Sequence, residues 1–338
     1  MVNAVGVIGC GRIAERHLAA YRHLGVKVTL FDVDVLAAER RAQEFGLDYV
    51  TTLDALLDRP DIEAIDLCVP TTHHRSLAIA GAEHGKHIFC EKPLCQTLDE
   101  AYAIKSAIVN NRVHLMVGYL YRFYPAFQYV KQVLDDDIIG PPTLAFVRLG
   151  GRGDAAVWKH KHETGGGAIS EMMVHALDLI RWLLGDIESV ELIAREVLYP
   201  VRHINGETVK ATAEDFVLAR LHTEHGIVFC ESDLATPSYM NHVEIQGSNG
   251  SIFTSMLHYL PTQVYCKQAR GIFDRGATTQ EFPIINAFEH ELRAFIGILR
   301  GEVELINSVD DSIALLKVLE QMYVKEPVSR SRSTSLTA

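Results

Sequence analysis

From Ala4 to Tyr119 short apolar, β-branched runs alternate with amphipathic stretches. Ala4 to Ile8 reads as a strand, Arg12 to Leu24 as a helix, Lys27 to Asp32 as a strand and Val35 to Phe45 as a helix. This is the rhythm of a doubly wound parallel sheet. It continues with strands over Ala64 to Val69, His87 to Cys90 and Leu115 to Tyr119, and with helices over His74 to His84 and Leu98 to Val109. Thr97 followed by Glu100 has the spacing of a capping box at the start of the last helix.

After Pro125 the pattern changes. A helix over Ala126 to Leu134 ends near Gly140, Pro141 and Pro142, and alternating strands follow, among them Thr143 to Leu149, Phe216 to Leu221, Gly226 to Cys230 and His242 to Ile245. Strand after strand with few helices predicts a mostly antiparallel sheet. A helix over Ala168 to Leu184 interrupts it, and helices over Asn286 to Leu299 and Asp310 to Met322 close the chain. The expected fold is therefore α/β: a Rossmann domain over residues 1–122, then an α+β domain with a large antiparallel sheet over 123–328. The polar Ser/Arg tail, 329–338, is expected to be disordered.

Composition narrows the partners. The chain has 338 residues, enough for two domains, and carries 32 basic against 43 acidic residues for a net charge of −11. Such a balance disfavours nucleic acid and anionic membrane, and the sequence shows no basic patch and no long apolar run. A cytoplasmic protein is expected. The six cysteines lie in apolar contexts with no C-x-x-C pair, which reads as reduced, buried thiols rather than disulfides or a zinc site.

The most specific local signal is Gly9-Cys10-Gly11-Arg12-Ile13-Ala14 between a strand and a helix, the dinucleotide fingerprint. Gly9 permits the turn, Gly11 lets backbone approach a pyrophosphate, and Ala14 lets helix and strand pack closely, while the helix N-terminus offers amide donors. Asp32 ends the second strand at the ~20-residue spacing of a ribose-binding acid. Its carboxylate would repel a 2′-phosphate, which favours NAD over NADP.

Further motifs run through almost the whole chain: Val69-Pro70-Thr71-Thr72-His73-His74, Gly85 through Glu91-Lys92-Pro93, Gly118 through Arg122 with Pro125, Gly165 through His175, and Glu244 through Ser251. In this order they resemble the glucose-fructose oxidoreductase and inositol 2-dehydrogenase family, Gfo/Idh/MocA. The resemblance implies that Lys92 reaches the substrate hydroxyl and the nicotinamide ribose, that Pro93, often preceded by a cis bond, shapes the turn, and that His175 is the proton acceptor. Those roles suit the chemistry, since removing hydride from an alcohol carbon requires that the hydroxyl proton also leave. Arg12, Ile13, Pro70, His74, Glu91 and Arg122 are expected with Gly9, Gly11, Asp32 and Lys92 around the cofactor, His74 either beside the nicotinamide or simply at a helix start.

Glu171 and His175 are four residues apart, so on a helix they share a face and the carboxylate can orient the imidazole or hold a substrate hydroxyl. Glu171 stands where the family usually has aspartate, Met173 where many relatives have glycine, and Val69 where threonine is common. Met173 is expected to fill space near the substrate. Trp158, Lys159, Tyr239 and Asn241 are candidate substrate contacts or ordinary surface residues. His160, His162 and Glu163 form either a polar loop rimming the site or, less in keeping with the family's zinc-free chemistry, a metal cluster. No metal is expected.

The leading expectation is an NAD-dependent dehydrogenase of a nucleotide-activated amino sugar such as UDP-N-acetylglucosamine at carbon 3, serving cell-surface glycan or lipid A synthesis. A free sugar or cyclitol, oxidised or reduced, is the alternative. A dinucleotide-sensing regulator is a third reading, disfavoured because Lys92 and His175 are both present. The family pairs an uncovered sheet face into homodimers or homotetramers, and the same is expected here.

Overall fold

Strand β1 (Ala4–Ile8) carries only small and apolar residues and is buried at every position, as a central parallel strand must be. Helix α1 (Arg12–Leu24) follows at once and buries the stripe Ala14, Leu18 and Tyr21, with His17 in the same stripe. In the computed structural model, which describes residues 4–153, 156–164, 166–204, 206–236, 241–257 and 259–324, the alternation continues. It comprises β2 (Lys27–Phe31), α2 (Val35–Phe45), β3 (Asp48–Tyr49), α3 (Leu53–Leu57), β4 (Ala64–Leu67), α4 (His74–Glu83), β5 (His87–Cys90), α5 (Leu98–Asn111) and β6 (Leu115–Val117). Glu100 departs slightly from a capping box: its N–H donates to Thr97 Oγ1 at 3.3 Å, but its carboxylate accepts from Gln96 N–H, one residue early, at 2.9 Å.

These six strands form one parallel sheet in the order β3-β2-β1-β4-β5-β6. The order reverses between β1 and β4, where doubly wound sheets bind ligands beyond the carboxyl ends of the strands. Backbone hydrogen bonds extend the ladder past those ends, from Gly9 N to Phe31 O at 2.9 Å, Cys68 N to Ile8 O at 2.8 Å, Glu91 N to Leu67 O at 3.2 Å and Gly118 N to Cys90 O at 2.8 Å. Gly9, Cys68, Glu91 and Gly118 thus line one sheet edge.

Helix α6 (Pro125–Asp135) leads to β7 (Pro142–Gly150), α7 (Val174–Leu184) and the strands β8 (Ile187–Glu196), β9 (Val201–Ile204), β10 (Glu207–Lys210), β11 (Phe216–Thr223), β12 (Gly226–Asp233), β13 (His242–Gly247), β14 (Gly250–Thr254), β15 (Thr262–Cys266) and β16 (Gly276–Gln280). Apart from the β9–β10 hairpin, they pair as β16-β15-β14-β13-β7-β12-β11-β8, antiparallel except for the parallel β7–β12 pair. One face is buried through Ala145, Val147, Val217, Ala219, Val228 and Cys230, and α7 packs on β7 and β12.

The chain closes with α8 (Ala287–Leu299) and α9 (Val309–Val324). The compact units are the described residues of Met1–Tyr129 with Phe282–Lys317, and of Val130–Glu281 with Val318–Ala338. The closing helices were expected within the second domain, 123–328. Instead α8 buries Leu292, Phe295, Ile296 and Ile298 in the Rossmann core beside Val5, Tyr21 and Phe89. All six cysteines are free and buried, as expected. Among the described residues no helix is long and apolar enough to cross a membrane. The tail 329–338 lies outside the described residues.

Candidate active site

The glycine loop is built for a close turn. Gly9 has φ +95°, and a Cβ there would lie 2.5 Å from the Cys68 carbonyl oxygen, so only glycine fits between the β1 and β4 ends. A Cβ on Gly11 would meet nothing within 4 Å. Gly11 and Arg12 are exposed, Ile13 is half-buried, and among the described residues no side-chain hydrogen bond caps the N-terminus of α1, whose first amides have no intrahelical partner. Asp32 is half-buried; its Oδ2 accepts from Cys10 N–H at 2.7 Å and its Oδ1 from Asp34 N–H at 2.9 Å. The acid thereby ties the end of β2 to the glycine loop. Open space at Gly11, free amide ends and a carboxylate at the neighbouring strand end fit a dinucleotide.

At the end of β5 the Glu91-Lys92-Pro93 turn contains a cis Lys92–Pro93 bond. Glu91 Oε2 accepts from the Lys92 N–H at 3.1 Å. Pro70 is exposed after β4, while His74 is buried and spans two loops. Its Nδ1 lies 3.0 Å from the Pro93 carbonyl and 3.2 Å from that of Leu94, and its Nε2 lies 2.9 Å from that of Val69. Burial holds the His74 pKa below its ordinary value. Backbone carbonyls lie at both ring nitrogens, and since a neutral imidazole has a single N–H it donates on one side only while packing between the two loops. Arg122 lies 3.9 Å from Asp311 at the start of α9.

The second unit holds the other expected group. The segment before α7 is wound as a π-turn over Ile169–Met173, a local widening common at functional sites. Glu214 sets its start: its carboxylate accepts from Ile169 N–H at 3.0 Å, its backbone carbonyl accepts from Ala168 N–H at 2.9 Å, and burial pushes its carboxyl pKa up. Glu171 is buried and forms an ion pair with Lys159, whose Nζ lies 5.3 Å from the Trp158 ring centroid. Trp158 is exposed and His175, in the first turn of α7, is half-buried.

Two expectations change here. Met173 does not line an open pocket: it is fully buried, and its sulfur takes contacts from Cys230 Sγ at 3.3 Å and Ser232 Oγ at 3.8 Å on β12, anchoring the π-turn to the sheet. Asn241 is also buried and bonds the Gly150 backbone, as acceptor at 2.7 Å and donor at 3.2 Å. His160, His162 and Glu163 do not converge. The His160 ring is buried against the Gly153 carbonyl, with burial lowering its pKa, whereas His162 and Glu163 are exposed and Glu163 accepts from Thr212 Oγ1 at 2.9 Å. Tyr239 and Gly165 lie outside the described residues.

The sequence reading missed a buried group behind the Lys92 turn: His17 on α1, Asp66 on β4 and Cys68, whose possible ligand atoms lie within 4.8 Å of one another. The signals were a histidine inside the apolar stripe of α1 and a charged residue in an otherwise apolar central strand. Glu214 was missed for a different reason, since it caps a helix far away in sequence.

A glycine loop opening onto a helix, an acid at the end of the neighbouring strand and a parallel sheet reversing at that point are the features of an NAD-binding Rossmann domain. Family models agree on both halves, as the oxidoreductase family with NAD-binding Rossmann fold over residues 4–119 and the GFO/IDH/MocA C-terminal domain over 127–253. The chain is 31% identical to the uncharacterized oxidoreductase YrbE of Bacillus subtilis (strain 168), covering 73% of this chain and 72% of that one. It belongs to the Gfo/Idh/MocA oxidoreductase family. It is also 29% identical to inositol 2-dehydrogenase of Rhizobium meliloti (strain 1021) across 93% of this chain and 94% of the relative. A levoglucosan dehydrogenase solved with NADH and levoglucosan shares the fold, with a TM-score of 0.85 at 22% identity over 95% of this chain and 96% of that one.

Proposed function

We propose that this chain is an NAD-dependent dehydrogenase of a free polyol ring, a cyclitol or an unactivated pyranose. The leading sequence expectation, a nucleotide-activated amino sugar, finds no support among the relatives, which include inositol and levoglucosan dehydrogenases.

The observation that carries the reading is that one chain holds both groups: the Glu91-Lys92-Pro93 turn in the first unit and, in the second, a half-buried His175 one turn beyond an acid paired with Lys159. His175 takes the hydroxyl proton as general base, and the Lys92 cation stabilises the alkoxide as it forms. Glu171, steadied by Lys159, and the exposed face of Trp158 hold further ring hydroxyls and the apolar face of the ring. Bound NAD supplies the hydride acceptor, and Asp32 receives its ribose hydroxyls.

The test is NADH formation with myo-inositol, scyllo-inositol, levoglucosan, glucose and UDP-N-acetylglucosamine, in the wild type and His175→Ala. Turnover of a free ring, lowered about 10²- to 10⁴-fold in the variant, is expected. Turnover of the nucleotide sugar alone, or a variant as fast as wild type, overturns the reading. Assembly through the uncovered face of the second sheet is proposed as well. There Phe146 and Phe229 stack at 5.6 Å and Tyr265 is 48% exposed, and sedimentation equilibrium reads the outcome.

A further inference from the structure

Behind the Lys92 turn lies a chain of ionisable groups that the proposed reaction does not use. His17 is fully buried with a carboxylate at each ring nitrogen, Asp66 Oδ2 at 2.8 Å from Nδ1 and Glu91 Oε1 at 3.1 Å from Nε2. A neutral imidazole has one N–H and one lone pair, so it can donate to only one of them, whereas an imidazolium donates to both. The edge of the ring meets Phe89 at 5.4 Å and 81°, and Phe288 packs at 5.6 Å and 50°, which fixes the ring plane. The second oxygen of Glu91 then accepts the Lys92 N–H.

We propose that His17, bridging Asp66 and Glu91, is a positioning residue that sets the direction of Lys92. Asp66 holds the ring, the ring holds the Glu91 carboxylate, and the carboxylate holds the peptide plane from which the Lys92 side chain departs. His74 also meets this turn, its Nδ1 lying against the Pro93 and Leu94 carbonyls. The inference rests on the reading of Lys92 given above. Burial alone would depress the His17 pKa, but the neighbouring acids, Asp66 first and Cys68 with it, together hold the value well above the ordinary one. The other groups around it are also acids: Cys68 Sγ at 3.3 Å from Nδ1, Glu91, Tyr21 on α1, and Glu291 on α8 near Tyr21.

A double-mutant cycle on the full-length protein tests this, with His17→Gln, Lys92→Ala and the double variant. Two quantities are read: NADH affinity by fluorescence titration, which needs no substrate, and kcat with myo-inositol. Lys92→Ala is expected to weaken both by about tenfold to a hundredfold, His17→Gln by a smaller factor, and the double variant by no more than Lys92→Ala alone. Losses that multiply show that His17 acts independently of residue 92, as a merely structural histidine would, and overturn the proposal. Lys92→Ala behaving as wild type removes the Lys92 reading itself, a separate result that takes the proposal with it. Should His17→Gln not fold, Glu91→Gln enters the same cycle with the same expectation.

Discussion

Gly167 sits where the π-turn begins, and its replacement by alanine separates backbone strain from loss of the Glu214 cap. Its φ is +119°, a region that L side chains rarely adopt, and an alanine there costs about 1–3 kcal/mol in strain. The new Cβ would also lie 2.4 Å from Glu214 Oε1 and 2.8 Å from its Cδ, where 3.4 Å is ordinary contact. The carboxylate must withdraw and release the Ile169 N–H, a charge-assisted bond worth about 1.5–3 kcal/mol. The expected loss is about 2.5–6 kcal/mol, or roughly 5–24 °C in Tm for a unit of this size. In a Glu214→Ala background the Cβ meets no carboxylate, so the same substitution should cost only the strain, about 1–3 kcal/mol. Urea unfolding of wild type, both single variants and the double variant reads the difference. An equal cost of Gly167→Ala in both backgrounds would refute the overlap argument, leaving backbone strain as the whole effect.

His17 holds in the folded state a proton that the unfolded chain releases above its ordinary pKa of 6.5. Its contribution is complete below that pH and is lost as pH rises through the folded-state value, so between pH 7 and 9 wild-type stability should fall more steeply than that of His17→Gln. The excess slope is up to about 1.4 kcal/mol per pH unit, and parallel urea curves for the two proteins would contradict it. Asp32→Ser removes both the charge facing a 2′-phosphate and the ties to Cys10 and Asp34. Its kcat/KM preference is expected to move towards NADP by about tenfold or more, and an unchanged ratio would count against Asp32 as the discriminating acid. Met173→Ala should cost about 2–5 kcal/mol in unfolding free energy as a core truncation, and Met173→Leu under about 1.5 kcal/mol. A freely tolerated alanine would return Met173 to the pocket.

Much of this protein can be read along the chain because the signals are local. The glycine loop, Asp32 and the strand–helix alternation up to Val117 depend on turn sterics and hydrophobic period, which adjacent residues decide. The Glu91-Lys92-Pro93 and Gly165-to-His175 motifs are contiguous as well, and they carry the family. What stayed hidden depends on residues distant in sequence meeting in space. Helix α8 has an apolar face that suits either unit, and only packing against Tyr21 and Phe89 commits it to the first. Met173 occupies a motif position that reads as substrate-facing, but the π-turn rotates it onto Cys230 and Ser232. His17, Asp66 and Glu91 look unrelated in the sequence. The parallel register of β1, β4 and β5 brings the two acids to α1, where a buried ring requires a partner at each nitrogen.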